Sequence, residues 1–131
     1  MKLDDNRVVL ITGTTRSIGQ DLAIWGLRRN HYVIGCSRTA STIDDPRYTH
    51  YFVDVSDFKN VSEMFSEVSA KFGRLDALIN NAAVNTPPGL LSSALLTTVE
   101  ECLRVIKINY IGAFLCCRES VKLMRERSFG R

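Results

Sequence analysis

No stretch of the 131-residue chain is apolar over the roughly 18 residues that a bilayer-spanning helix needs. The opening residues, Met1 to Asn6, carry no apolar core and do not read as a secretory signal. Charge of one sign is also scarce. Seventeen Lys and Arg against 14 Asp and Glu leave +3, too little to point to nucleic acid or an anionic membrane. Cys36, Cys102, Cys116 and Cys117 lack any C-x-x-C spacing and sit in apolar sequence. They read as core thiols in a reducing cytosol rather than a metal site or disulfide frame. The only two histidines, His31 and His50, each precede an apolar strand-like run and read as strand-end residues, not as ligands or bases.

What is present suits a single domain with a real core, since 45% of the residues are hydrophobic. The chain is organised around Val8 to Gly19. Val8-Val9-Leu10-Ile11 suits a strand buried on both faces, as in a parallel sheet. Gly13 stops it. Ser17 to Arg29 reads as a helix with Ile18, Leu22, Trp25 and Leu27 on its apolar side and Asn30 as its stop. Strand, tight turn of small residues and helix make the first βα unit of a nucleotide-binding fold. N–H groups at the helix start, aided by the helix dipole, attract a phosphate, and glycines let the backbone come close. On this stretch alone an ordinary βα turn remains the alternative.

The spacing Gly13-x-x-x-Ser17-x-Gly19 departs from G-x-G-x-x-G. It resembles the T-G-x-x-x-G-x-G turn of the short-chain dehydrogenase/reductase family, with Ser17 at the middle glycine. A second stretch, Asn80-Asn81-Ala82-Ala83, closes an apolar run that starts at Leu75. It resembles the family's N-N-A-G segment, with Ala83 for glycine. The resemblance implies an α/β, Rossmann-like, doubly wound parallel sheet, reaching about four strands in the order 3-2-1-4. It implies one NAD(P)-binding domain over residues 1–131, incomplete at its C-terminus. The pyrophosphate would lie on Gly13, Thr15, Arg16, Ser17, Ile18 and Gly19. Asn80 would tie adjacent strands, and Asn81, Ala82 and Ala83 would meet the ribose through backbone or side chain.

A second buried strand runs from Tyr32 to Arg38. An acidic residue at its end would bond the ribose 2′-hydroxyl of NAD, whereas a basic one would accept the 2′-phosphate of NADP. Ser37-Arg38 stands there and Arg16 lies in the first turn, so NADP is expected over NAD, unless both arginines are solvated surface residues. Only the ten residues Thr39 to Tyr48 precede the third strand, so that crossover is expected to lack a helix and to leave one sheet face thinly covered. The third strand, Thr49 to Val55, ends in Asp54-Val55, which resembles the family's D-V segment beside the adenine. Ser56 is expected to cap the next helix, with Asp57 in its first turn. Val61, Met64, Phe65, Val68 and Phe72 form one continuous apolar stripe along that helix, and Gly73 closes it.

Residues 84–96 read as a loop with Thr86-Pro87-Pro88-Gly89 and Ser92-Ser93, which in the family borders the substrate cleft. A helix then starts near Thr97 or Thr98 and continues to a basic end at Lys122, Arg125 and Arg127. Asn109 within it resembles the family's helix asparagine. That residue bends the helix by binding a water through its main chain and joins a proton relay to the catalytic lysine; a polar residue at a kink with Gly112 is the alternative. The family's catalytic serine and Y-x-x-x-K would follow Arg131, and none of Tyr32, Tyr48, Tyr51 and Tyr110 has lysine four residues on. The resemblance therefore implies the cofactor-binding half of an NADP(H)-dependent oxidoreductase, inactive alone. It would move hydride between nicotinamide and a carbonyl or hydroxyl carbon of a small molecule. A short form that binds a nucleotide or a partner and catalyses nothing is the other reading. An apolar fourth-strand edge predicts a homo-oligomer or association with the remaining half.

Overall fold

The computed structural model describes residues 6–85 and 95–131. Four parallel strands, β1 (Val8–Thr12), β2 (Tyr32–Ser37), β3 (Tyr48–Phe52) and β4 (Ala77–Ile79), form one sheet in the order β3-β2-β1-β4. Leu10 in β1 pairs with Ile34 on one side and Leu78 on the other. Period-two alternation sends Val8, Leu10, Ile34 and Cys36 to one face, against α2 (Phe58–Phe72) and α4 (Ala113–Glu126). Ile11 and Val33 point to the other, against Ala23 and Leu27 of α1 (Ser17–Arg28). Both faces are covered, which is why these strands read as continuous apolar runs.

The buried side of α1 differs from the expected one. Gly19, Ala23, Gly26 and Leu27 are buried, while Ile18 and Trp25 are exposed. The helix lies so close to the sheet that a Cβ on Gly26 would stand 2.9 Å from Val33 Cγ2, so small residues face inward. Trp25 instead stacks beneath the Arg29 guanidinium, 3.9 Å from the ring centre.

No helix intervenes between β2 and β3, as expected, and Ile43 and Tyr48 pack onto the thinly covered face. β3 ends at Phe52, short of Asp54, and β4 spans three residues rather than reaching Ala83. The cap of α2 is Asp57, whose carboxylate accepts from Asn60 N–H at 3.0 Å. Ser56 does not cap because Asp54 already bonds both its N–H (2.9 Å) and its hydroxyl (2.7 Å). Val61, Met64, Phe65 and Val68 are buried along α2, and Gly73 ends it at φ +61°.

Thr98 caps α3 (Val99–Ile106), accepting from Glu101 N–H at 3.1 Å. A π-helical turn, Lys107–Gly112, joins it to α4. Two of the cysteines are core thiols, Cys36 and Cys116; Cys102 and Cys117 are exposed, and all four are free. Among the described residues no helix is long and apolar enough to cross a membrane. The outer edge of β4 is partly used, since Arg131 donates to Asp76 O (3.1 Å) and accepts from Leu78 N–H (2.8 Å), the pattern of a parallel neighbour.

Asp76 anchors the entry to β4. Its carboxylate is buried, accepts from Val8 N–H at 2.7 Å and pairs with Arg74 at 2.6 Å. Burial pushes this carboxyl up, but the bonds from Arg74 and Val8 and the charges of Arg74 and Arg7 outweigh it, so it titrates below the usual carboxylate range. The unfolded chain binds this proton more readily than the folded one, so the stabilisation is complete above the ordinary Asp pKa and is lost as pH falls through the depressed one. Asp76→Ala is expected to cost about 1–3 kcal/mol in urea unfolding at pH 7 and to flatten the loss of stability below pH ~4. An unchanged acid limb in the variant contradicts this.

Candidate functional site

The order of the sheet reverses at β1. The chain winds from β1 to β3 on one side, then crosses through α2 to β4 on the other. The strand ends therefore part between β1 and β4, the place where open α/β sheets hold ligands. A groove of about 640 Å³ lies there, running over the C-terminal ends of all four strands.

The turn after β1 forms its centre. Gly13 has φ +76° and Ser17 φ +50°, both left-handed. Glycine would carry no strain at position 17, whereas Ser17 does. A Cβ on Gly19 would collide with the Gly13 carbonyl oxygen, so no side chain fits there. Arg16 opens α1 in extended conformation (φ −160°) without a side-chain cap, and no acidic residue occupies the first turn. The first N–H groups of α1 are thus left without side-chain acceptors, beside a groove wall made by Thr15, Arg16, Ser17, Ile18 and Gly19.

Across the groove, Asn81, Ala82 and Ala83 line the opposite wall. Thr12, buried at the end of β1, accepts from the N–H groups of Asn81 (3.0 Å) and Ala82 (2.9 Å). The Asn81 amide donates to Thr12 O (2.9 Å) and Gly13 O (3.1 Å). Asn81, and not Asn80, therefore ties the strands together; the Asn80 amide reaches the Cys117 sulfur at 3.2 Å instead. Position decides this, because only Asn81 stands over the carbonyls that β1 leaves unpaired as it turns. The Asn81 side chain is committed to β1.

At the far end Ser37 closes β2 and Arg38 follows it, with Cys36 in the groove wall. Among the described residues neither Arg16 nor Arg38 joins an ion pair, and both are exposed. The Ser37 hydroxyl donates to Thr39 O at 2.6 Å, so its proton is engaged within the loop. Burial, reinforced by the neighbouring Cys116, pushes the Cys36 thiol up to about 12, which makes it an inert wall residue. Burial also pushes the Asp54 carboxyl up. The two Ser56 bonds and the positive charges of Arg38 and Lys107 outweigh it and hold that carboxyl below the usual range. Val55, beside it, packs against the helix at Gly112, where a Cβ would come within 2.9 Å of Val55 Cγ2.

Asn109 lies behind the wall, inside the π-helical turn. Its amide accepts from Val84 N–H and donates to Val84 O, both at 2.8 Å, pinning the chain just past β4. The expected bend is thus a π turn, a geometry that recurs at functional sites. Thr39, Val53, Val84, Asn85 and Ile108 also line the groove and were not singled out in the sequence. Thr12 was missed too, although a lone polar residue ending an apolar strand is the signal that marks it. Residues 86–94, which hold the Thr86-Pro87-Pro88-Gly89 and Ser92-Ser93 parts of the expected cleft loop, lie outside the described residues.

The short chain dehydrogenase family pattern matches residues 7–131. An uncharacterized oxidoreductase of Schizosaccharomyces pombe is 34% identical over 124 residues, covering 93% of this chain and 41% of that protein. A 3β-hydroxysteroid dehydrogenase of Mediterraneibacter gnavus is 31% identical over 135 residues, covering 92% and 46%. Among solved structures, ElxO with NADP bound superposes with a TM-score of 0.85 at 30% identity, covering 95% of this chain and 53% of that one. A short chain dehydrogenase from Leptospira borgpetersenii with bound NAD+ gives 0.80 at 27% identity, covering 94% and 48%. The chain thus spans about half the length of the proteins it matches. With a sheet, a glycine turn and an asparagine-bearing strand end that follow the family pattern from residue 7 to residue 131, the chain belongs to the short chain dehydrogenase family.

Proposed function

We propose that this chain is the cofactor-binding half of an NADP(H)-dependent short chain dehydrogenase/reductase, acting between a carbonyl and a hydroxyl carbon of a small molecule. One observation carries the reading. The uncapped start of α1 opens onto a groove where Gly19 leaves no space for a side chain and Gly13 turns with a left-handed φ of +76°. Such a cradle of free N–H donors fits a diphosphate. Bound there, a nicotinamide dinucleotide would supply the hydride-transfer chemistry. The named relatives support it, since one is a steroid dehydrogenase and two solved neighbours hold NADP and NAD+.

The residues of the chain divide the work along the groove. Gly13, Ser17 and Gly19 admit the diphosphate to the backbone. Asp54, held ionised, can accept from the adenine amino group, with Val55 against the ring. Ala82 and Ala83 offer small surfaces to the ribose. Asn109 holds Val84 in place, and its π turn suits a main-chain role in a proton relay. Preference for NADP is supported by Arg38, at the end of β2 where an NAD enzyme carries a carboxylate, and by Arg16 in the phosphate turn; both guanidinium groups are exposed and neither joins an ion pair among the described residues. Exposed Val99, Leu103 and Ile106 on α3, Tyr110 in the π turn and Phe114 at the start of α4 support contact with a second copy or with the remaining half of the enzyme. Free, exposed Cys102 and Cys117 support a reducing cytoplasmic setting.

The measurement is calorimetric titration with NADPH and NADH. Gly19→Ala is expected to weaken NADPH by about tenfold or more, because the added methyl must displace backbone. Arg38→Asp is expected to weaken NADPH by about 10- to 100-fold and NADH by less than about threefold, the loss of charge-assisted bonds to one phosphate. Equal NADPH affinity in that variant refutes the 2′-phosphate role. With no tyrosine four residues before a lysine, the 131-residue chain is expected to bind the cofactor without turnover. Carbonyl-dependent NADPH oxidation by the purified chain contradicts that.

A further inference from the structure

A ring of hydrogen bonds, closed by the backbone of Thr39 and of Thr14–Thr15, lies at the Arg38 end of the groove. Thr14 Oγ1 and Tyr48 OH are 2.8 Å apart, and Tyr48 OH and His50 Nδ1 2.9 Å. His50 Nε2 lies 2.9 Å from Thr39 O and 3.2 Å from Ser37 Oγ. Thr39 Oγ1 reaches back to Thr15 Oγ1 at 3.4 Å. Thr14 and Thr15 are consecutive in the phosphate turn, and Ser37 and Thr39 flank Arg38. The ring therefore joins the centre of the groove to its far end through an edge strand.

The contacts allow Thr14 to donate to Tyr48, Tyr48 to donate to His50 Nδ1, and His50 Nε2–H to donate to the Thr39 carbonyl. That carbonyl also accepts from Ser37, so the backbone just past Arg38 is gripped from two sides. Rings of Tyr48, His50 and Phe52 run in a row along β3, with centroids 5.9 and 5.5 Å apart. Gly35 on β2 makes room, because a Cβ there would collide with both the Tyr48 and the Thr14 hydroxyls. The β2–β3 crossover carries no helix; further along it Gln20 donates to Thr42 Oγ1 and Arg47 to Asn30 Oδ1, whereas the ring reaches residues 37–39 from β3 and from the phosphate turn.

We propose that Tyr48 and His50 are positioning residues for cofactor specificity. They hold the Ser37–Thr39 backbone at the height where the Arg38 guanidinium can meet a 2′-phosphate, and they lock that height to the phosphate turn. Neither residue lines the groove. The proposal rests on the NADP(H) reading above and adds to it the two side chains that make Arg38 selective.

The test uses Tyr48→Phe, His50→Phe and His50→Gln, with two readouts. Calorimetric titration is expected to show NADPH weakened about three- to tenfold in both Phe variants, the loss of one or two hydrogen bonds, while NADH changes by less than about twofold. His50→Gln, whose amide keeps one donor and one acceptor, is expected to recover the wild-type ratio of the two affinities. Amide hydrogen exchange in the free protein is expected to speed up at residues 38–40 in the Phe variants and not in His50→Gln. NADPH and NADH weakened equally, or exchange unchanged, overturns the proposal. A wild type that binds neither nucleotide brings down the cofactor reading and the specificity role with it, while the exchange measurement still decides whether the ring holds the loop.

Discussion

The structure depends on how closely three pieces of backbone approach one another: the end of β1, the start of α1 and the segment past β4. Gly19 sits against the Gly13 carbonyl with no room for a Cβ. Asn81 reaches across to bond two β1 carbonyls, and Thr12 returns two bonds to the N–H groups of Asn81 and Ala82. Four hydrogen bonds thus join strands that no ladder joins at this level. The result is a cleft whose walls are polar backbone, held open by sheet topology and held rigid by a threonine and an asparagine. Burying those backbone groups unpaired would be costly, so the ties also stabilise the fold.

From that constraint the rest of the groove follows. A helix that must start against a strand end leaves its first N–H groups facing outward, and the missing cap leaves them available. At the far end Asp54 is kept ionised by Ser56 and by the charges of Arg38 and Lys107. At that same end, the helix-free crossover leaves the loop around Arg38 to be fixed by side chains of β3 rather than by packing under a helix. Asn109 and the π turn fix the segment past β4 from behind.

Much of this was legible in the sequence because it rests on spacing. The apolar run Val8 to Ile11, the helix stripe from Val61 to Val68 and the glycine at 73 each follow one period and one termination rule. The residues picked for the cofactor, from Gly13 to Ala83, meet in one groove because they all lie at the C-terminal ends of parallel strands. What failed to show was what depends on partners distant in sequence. The choice of Asn81 over Asn80 depends on which amide stands above the Thr12 and Gly13 carbonyls. The cap at Asp57 depends on Asp54 having captured Ser56. Trp25 faces solvent because the close contact of Gly26 with Val33 turns small residues inward. The roles of Tyr48 and His50 needed an edge strand to be laid beside the phosphate turn.

The central claim is that one nucleotide is gripped at once by the β1 turn, by the Asp54–Val55 shoulder and by the wall past β4. Chemical-shift mapping of backbone amides during titration of the chain with NADPH tests it most directly. The account predicts saturable shifts at residues 13–19, 54–55 and 81–84 together, with a single shared dissociation constant. Saturable shifts at only one of these segments, or none with either NADPH or NADH, would contradict it.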